Sequence, residues 1–138
     1  MHLKLGDLYH QLGLLSDAMG QYQIVVQHYD QKGMANESLA VLRKMVELDP
    51  ENVQSRKKLA EIIAREGNTA DAIAEFQKIA EELKAKGRLD YLAGVLERVV
   101  HLDQGNLDVV RELAALYLDR GDPKRALAKL QICFRANP

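Results

Sequence analysis

The sequence predicts an all-α fold, a continuous stack of about eight antiparallel helices. Three observations carry that prediction. Leucine occurs 21 times and alanine 16 times, against one threonine and no tryptophan. Helices favour the first pair, whereas strands favour β-branched and aromatic residues. The three prolines, Pro50, Pro123 and Pro138, each fall at a helix boundary. The chain also repeats itself every 54 residues, as Gly13, Gly67 and Gly121, Leu5, Leu59 and Leu113, and Ala18, Ala72 and Ala126 show.

The elements follow from the punctuation of each copy. The first helix spans 2–12 and stops at Gly13, which takes the left-handed conformation at low steric cost. The second, 16–31, ends before Gly33, and the third, 34–48, ends at the Asp49–Pro50–Glu51–Asn52 stretch. Asn52 is placed to cap the fourth helix, 53–66, which stops at Gly67. In the fifth, 69–85, Ala72, Ile73, Phe76, Ile79, Ala80 and Leu83 make one apolar face at helical spacing. The sixth, 88–103, starts after Gly87, and Asn106 caps the seventh, 107–120. Asp122–Pro123 reads as a cap with proline in the first turn of the eighth, 123–136. The copies are thus 1–54, 55–108 and a partial 109–138, read as a single domain with no linker. A helix pair of this size cannot bury its own apolar stripe, so neighbours stack and share a core.

Composition and charge exclude several classes. With 19 Lys+Arg against 20 Asp+Glu the net charge is −1, which excludes the strong basicity of a typical nucleic-acid binder. The longest apolar runs, such as Leu113 to Leu118, are far shorter than the roughly 20 residues of a membrane helix. Gly6, Asp7 and His10 break any signal-peptide pattern, so a cytoplasmic location is favoured. The single cysteine, Cys133, forms no internal disulfide and reads as a small core residue beside Leu130 and Ala126. His2, His10, His28 and His101 share no metal-ligand spacing, there is no glycine-rich phosphate loop, and paired carboxylates such as Glu81–Glu82 read as a solvated helix face. We therefore expect no catalytic, cofactor or metal site. Gly20 and Gly94, inside helices, read as points of close helix approach, with a hinge as the alternative.

Leu5–Gly6, Tyr9, Gly13, Ala18, Tyr22 and Val25 resemble the tetratricopeptide repeat, a 34-residue helix–turn–helix unit. Leu59–Ala60, Ile63, Gly67, Ala72, Phe76 and Ile79 look like a second unit, and Leu113–Ala114, Tyr117, Gly121, Ala126, Leu130, Cys133 and Pro138 like a third. The chain departs from the family in its period of 54, which adds one helix per copy. Equivalent helices of successive copies would then change layers unless the third helix packs differently. In the repeat logic Ala18, Ala72 and Ala126 allow close helix approach, and Tyr22, Phe76 and Leu130 fill the space above.

The resemblance implies a right-handed α–α superhelix with the first helix of each copy lining a concave surface. Its exposed residues would be Asp7, His10 and Gln11 in the first copy. In the second they would be Gln54, Lys57, Lys58, Glu61 and Arg65, and in the third Asp108, Arg111, Glu112, Ala115 and Asp119. Glu61 and Ala115 stand where a chaperone-tail clamp would carry asparagine, so that ligand is not expected. The implied function is non-catalytic protein–protein interaction with a peptide or protein partner, without nucleic acid or membrane. The alternatives are a structural spacer or self-association through Leu3, Leu8 and Leu12 or Ile132 and Phe134, and more distantly RNA binding. Both ends look cut, as in a piece of a longer repeat protein whose next helix would cover Ile132 and Phe134.

Overall fold

The computed structural model describes residues 2–136. Among them are eight helices and no strand: α1 His2–Gln11, α2 Leu15–Gln31, α3 Ala35–Leu48, α4 Val53–Arg65, α5 Thr69–Ala85, α6 Leu89–Leu102, α7 Leu107–Asp119 and α8 Pro123–Ala136. Every boundary lies within one residue of the position expected from sequence. Pro138, the closing proline of the family pattern, lies outside the described residues.

Two kinds of turn produce this order. At Gly67 (φ +89°) the glycine N–H donates to Ala64 O and the next N–H, of Asn68, donates to Ile63 O. These two bonds close the helix end and need the left-handed backbone. The same pair of bonds recurs at Gly13, Gly33, Gly87 and Gly121. The turns after α3 and α6 use no such glycine. There Asn52 and Asn106 side chains accept from the N–H of Ser55 and Val109, at 3.2 and 3.3 Å, and start α4 and α7. Asp122 does the same for α8 through the Arg125 N–H.

The helices gather into two compact units, Met1–Asn68 and Thr69–Pro138, and the division falls inside the second 54-residue copy. In the first unit α1 packs on α2, α2 on α3 and α3 on α4. Ala18, Tyr22, Val26, Leu42 and Met45 are buried there. Gly6 makes room for the Tyr22 ring: a Cβ at this position would lie 2.8 Å from it. In the second unit α5 packs on α6, α6 on α7 and α7 on α8, around Phe76, Ile79, Val95, Val99, Val110 and Leu113. The 54-residue step survives in side-chain geometry. Lys44 stands 5.4 Å from the Tyr22 ring centre in the first unit, and Arg98 stands 6.0 Å from that of Phe76 in the second.

Ion pairs fix which helices share a layer. Lys44 of α3 meets Asp7 of α1, and Asp30 of α2 meets Lys58 and Arg65 of α4. In the second unit Lys84 of α5 meets Glu112 of α7, and Lys129 of α8 meets Glu97 of α6. Each unit thus alternates its helices between two layers. The helix that opens the second copy, α4, lies beside α2 and not beside α1.

Four sequence expectations need correction. Leu130 is 43% exposed, whereas its equivalents Tyr22 and Phe76 are fully buried, because among the described residues no helix lies over α8 as α3 and α6 lie over α2 and α5. A Cβ at Gly20 or Gly94 would touch nothing within 4 Å, so neither marks a close helix approach; the tight glycine is Gly6. Cys133 is half-buried, not a core residue. The candidate residues of α1 and α4 lie in alternate layers and do not share one surface.

Candidate interaction grooves

Three consecutive helices that cross a copy boundary build a groove, and each unit has one. In the first unit α3 supplies the floor with Leu42 and Met45. Gln23, Ile24 and Gln27 of α2 form one wall, and Gln54, Ser55 and Lys58 of α4 the other. The cleft encloses about 350 Å³. In the second unit α6 supplies the floor with Leu96 and Val99, and α5 and α7 supply the walls, around about 390 Å³. The two grooves correspond at the 54-residue step. Gln23 matches Gln77, Ile24 matches Lys78, Gln27 matches Glu81, Ser55 matches Val109 and Lys58 matches Glu112. The scaffold is shared and the chemistry is not.

The first groove is rimmed by the amides of Gln23, Gln27 and Gln54 together with Lys58. Ile24 is 43% exposed beside it, and Ser55 is 4% exposed with an Oγ that has no hydrogen-bond partner. Buried hydroxyls are ordinarily paired, so this one is an exception with a location. Asp30 accepts from Lys58 Nζ at 3.0 Å and from Arg65 Nη2 at 2.5 Å, joining α2 to α4. The Arg65 guanidinium first, then the Lys58 ammonium, hold the Asp30 carboxyl below the usual carboxylate range. The second groove is rimmed by charge, with Lys78, Glu81, Lys84 and Glu112. The hydrogen bond to Glu112 raises the Lys84 pKa above the ordinary lysine value. Elsewhere, Asp7 takes hydrogen bonds from Lys44 and Tyr22, which lower its pKa in that order. Burial, then the 2.7 Å hydrogen bond to Glu97, pushes Tyr117 up to about 12.

The sequence-predicted residues are distributed unevenly over this geometry. Gln54 and Lys58 line the first groove, and Arg65 reaches it through Asp30. Glu112 lines the second. Lys57 and Glu61 are half-buried on α4. Asp108 and Arg111 pair with each other at 3.3 Å on the exposed side of α7, and Asp119 is exposed. Asp7 is held by Lys44, while His10 and Gln11 are exposed on α1. Sequence reasoning missed Gln23, Ile24 and Gln27 of α2, together with Ser55 and Lys84. One signal was available: Asp30, Lys58 and Arg65 become Lys84, Glu112 and Asp119 one period later, a concerted change of sign.

Among the described lining residues no hydroxyl is hydrogen-bonded to a base. Among the described residues no group of three or more His, Cys, Asp or Glu is set to hold a metal, and no helix is long and apolar enough to cross a membrane.

The tetratricopeptide repeat family profile matches residues 26–87. No curated protein sequence matches the chain. Among solved structures it is similar to MamA at 16% identity, covering 94% of this chain and 92% of that one, with a TM-score of 0.40. It is also similar to MamA (41-end) from Desulfovibrio magneticus RS-1, at 10% identity, 99% and 94% coverage and a TM-score of 0.42. A third is YrrB, a tetratricopeptide repeat protein with an unusual peptide-binding site, at 18% identity, 99% and 85% coverage and a TM-score of 0.40.

Proposed function

We infer that this tetratricopeptide repeat chain is a non-catalytic scaffold that holds a peptide or protein partner against its helices. The observation that carries this reading is the pair of preformed grooves, each walled by two helices of one layer and floored by the helix between them. A cleft built on packed helices costs little ordering entropy when a partner enters. Its rims are polar and its floors apolar, the combination that gives orientation and burial together. We place Gln54, Lys58 and Arg65 of α4 at the contact surface of the first unit, with Lys57 and Glu61 at its margin, and Glu112 of α7 at that of the second unit, with Asp108, Arg111 and Asp119 at its margin. Asp7, His10 and Gln11 would belong to a separate face.

Affinity capture from nuclease-treated lysate tests this reading, with the chain beside Gln27→Glu/Lys58→Glu and Lys57→Glu/Arg111→Glu variants. One protein retained by the parent and lost by either variant supports the scaffold. Nothing retained beyond the chain itself contradicts it.

One observation favours a second reading, self-association. Leu127, Leu130 and Phe134 form a stripe on α8 at helical spacing, exposed by 57, 43 and 72%, around a cleft of about 310 Å³. A mass that rises with concentration for the parent and stays monomeric for Phe134→Glu would support it.

A further inference from the structure

We propose that the groove of the first unit is the seat of an extended, uncharged peptide segment, read through its backbone by the amides of Gln23 and Gln27. The proposal rests on the scaffold reading and names what that scaffold takes. Gln23 and Gln27 lie one helical turn apart on α2, about 6 Å along the axis at 1.5 Å per residue. An extended chain presents backbone groups on one side every two residues, about 6.6 Å. Each glutamine amide carries both a donor and an acceptor and so meets one N–H and one C=O of such a chain. The two spacings agree closely enough for both amides to engage successive residues.

The other features point to the same ligand. Gln54 offers a third amide from the opposite wall, and Leu42 and Met45 give an apolar floor for one side chain. The Ser55 hydroxyl, buried in the α4 wall, has no hydrogen-bond partner among the described residues. A ligand amide completes what the fold leaves open. At about 350 Å³ the cleft is at the small end of the range for binding clefts, about 300–1,000 Å³, which suits a short extended segment. The one charged side chain of the lining, Lys58, is already held by Asp30 at 3.0 Å, so a charged segment would have to strip its own water against a rim with no unpaired counter-charge. The second groove makes the contrast. It keeps Gln77 but replaces the next amide with Glu81 and the hydroxyl with Val109, so the ladder is broken there.

The test is selection from a phage-displayed library of short random peptides on the folded parent chain. The most enriched peptide is then synthesised, labelled and titrated by fluorescence anisotropy. Uncharged sequences with an apolar residue should be enriched. Affinity should fall about tenfold or more for Gln23→Glu/Gln27→Glu, severalfold for Ser55→Val, and not at all for Gln77→Glu. Valine occupies the equivalent position in the second unit, so Ser55→Val keeps the fold, which circular dichroism verifies. Binding that ignores the first-groove changes and responds to Gln77→Glu or Phe134→Glu overturns this proposal and leaves the scaffold reading standing. A library with nothing enriched also overturns it; the scaffold reading falls as well only if the capture experiment is empty.

Discussion

Asp30 and Lys84 occupy the same place in two successive copies, 54 residues apart, and carry opposite charges. Asp30 of α2 meets Lys58 and Arg65 of α4; Lys84 of α5 meets Glu112 of α7. The partners change sign along with them, so each unit is internally matched. An α4 set in the place of α7 would bring Lys58 and Arg65 against Lys84. The inversion therefore separates two copies that are otherwise built alike.

Reversing Asp30 tests this pairing. Asp30→Lys places a third cation against Lys58 and Arg65 and should lower stability by about 1 kcal/mol, read from the urea midpoint. Exposed pairs are worth about 0.2–1 kcal/mol each. Adding Lys58→Glu and Arg65→Asp reproduces the polarity of the second unit and should restore most of the loss.

The response to acid follows from the two depressed carboxyls. Asp7 and Asp30 have folded pKa values below their ordinary 3.8. Their contribution is present above the unfolded value and is lost as pH falls through the folded one. Urea midpoints should drop below about pH 4, and Asp7→Asn/Asp30→Asn should flatten that drop while lowering the neutral-pH value.

The alkaline side has the opposite sign. Tyr117 is raised to about 12, so its contribution is complete below pH 10 and fades as pH rises toward that value. Phenolate absorbance should show a late-titrating component that Tyr117→Phe removes. A Tyr117 that titrates at the ordinary value would mean that both its burial and its bond to Glu97 are lost in solution.

The glycines separate two environments that look alike in sequence. Gly6→Ala drives a methyl into the Tyr22 ring and should cost about 1–3 kcal/mol. Gly94→Ala, in open space on α6, should gain about 0.5–1 kcal/mol through helix propensity. Thermal melts of the two variants should move in opposite directions.

Helix boundaries were legible because local chemistry sets them. Asn52, Asn106 and Asp122 cap with their own side chains, and the turn glycines adopt the positive φ that their position demands. The grooves were not legible. Their walls come from α2 and α4, whose pairing depends on how many helices intervene and not on spacing within one helix. Asp30 and Arg65 are 35 residues apart, beyond any i, i+4 pattern. Leu130 shows the same limit. Its place in the repeat equals that of Phe76, yet burial needs a covering helix that the residue itself does not specify. Phe76→Ala should therefore cost about 3–5 kcal/mol, and Leu130→Ala under about 1.

The most direct measurement is site-specific photo-crosslinking. A benzophenone amino acid at Ile24, beside the first groove, is compared with one at exposed His101, each chain irradiated in lysate. A discrete adduct with another protein from Ile24, absent from His101 and lost when Gln23→Glu/Gln27→Glu is introduced, is the predicted result. Adducts of the chain with itself alone, or equal labelling from both sites, would contradict it.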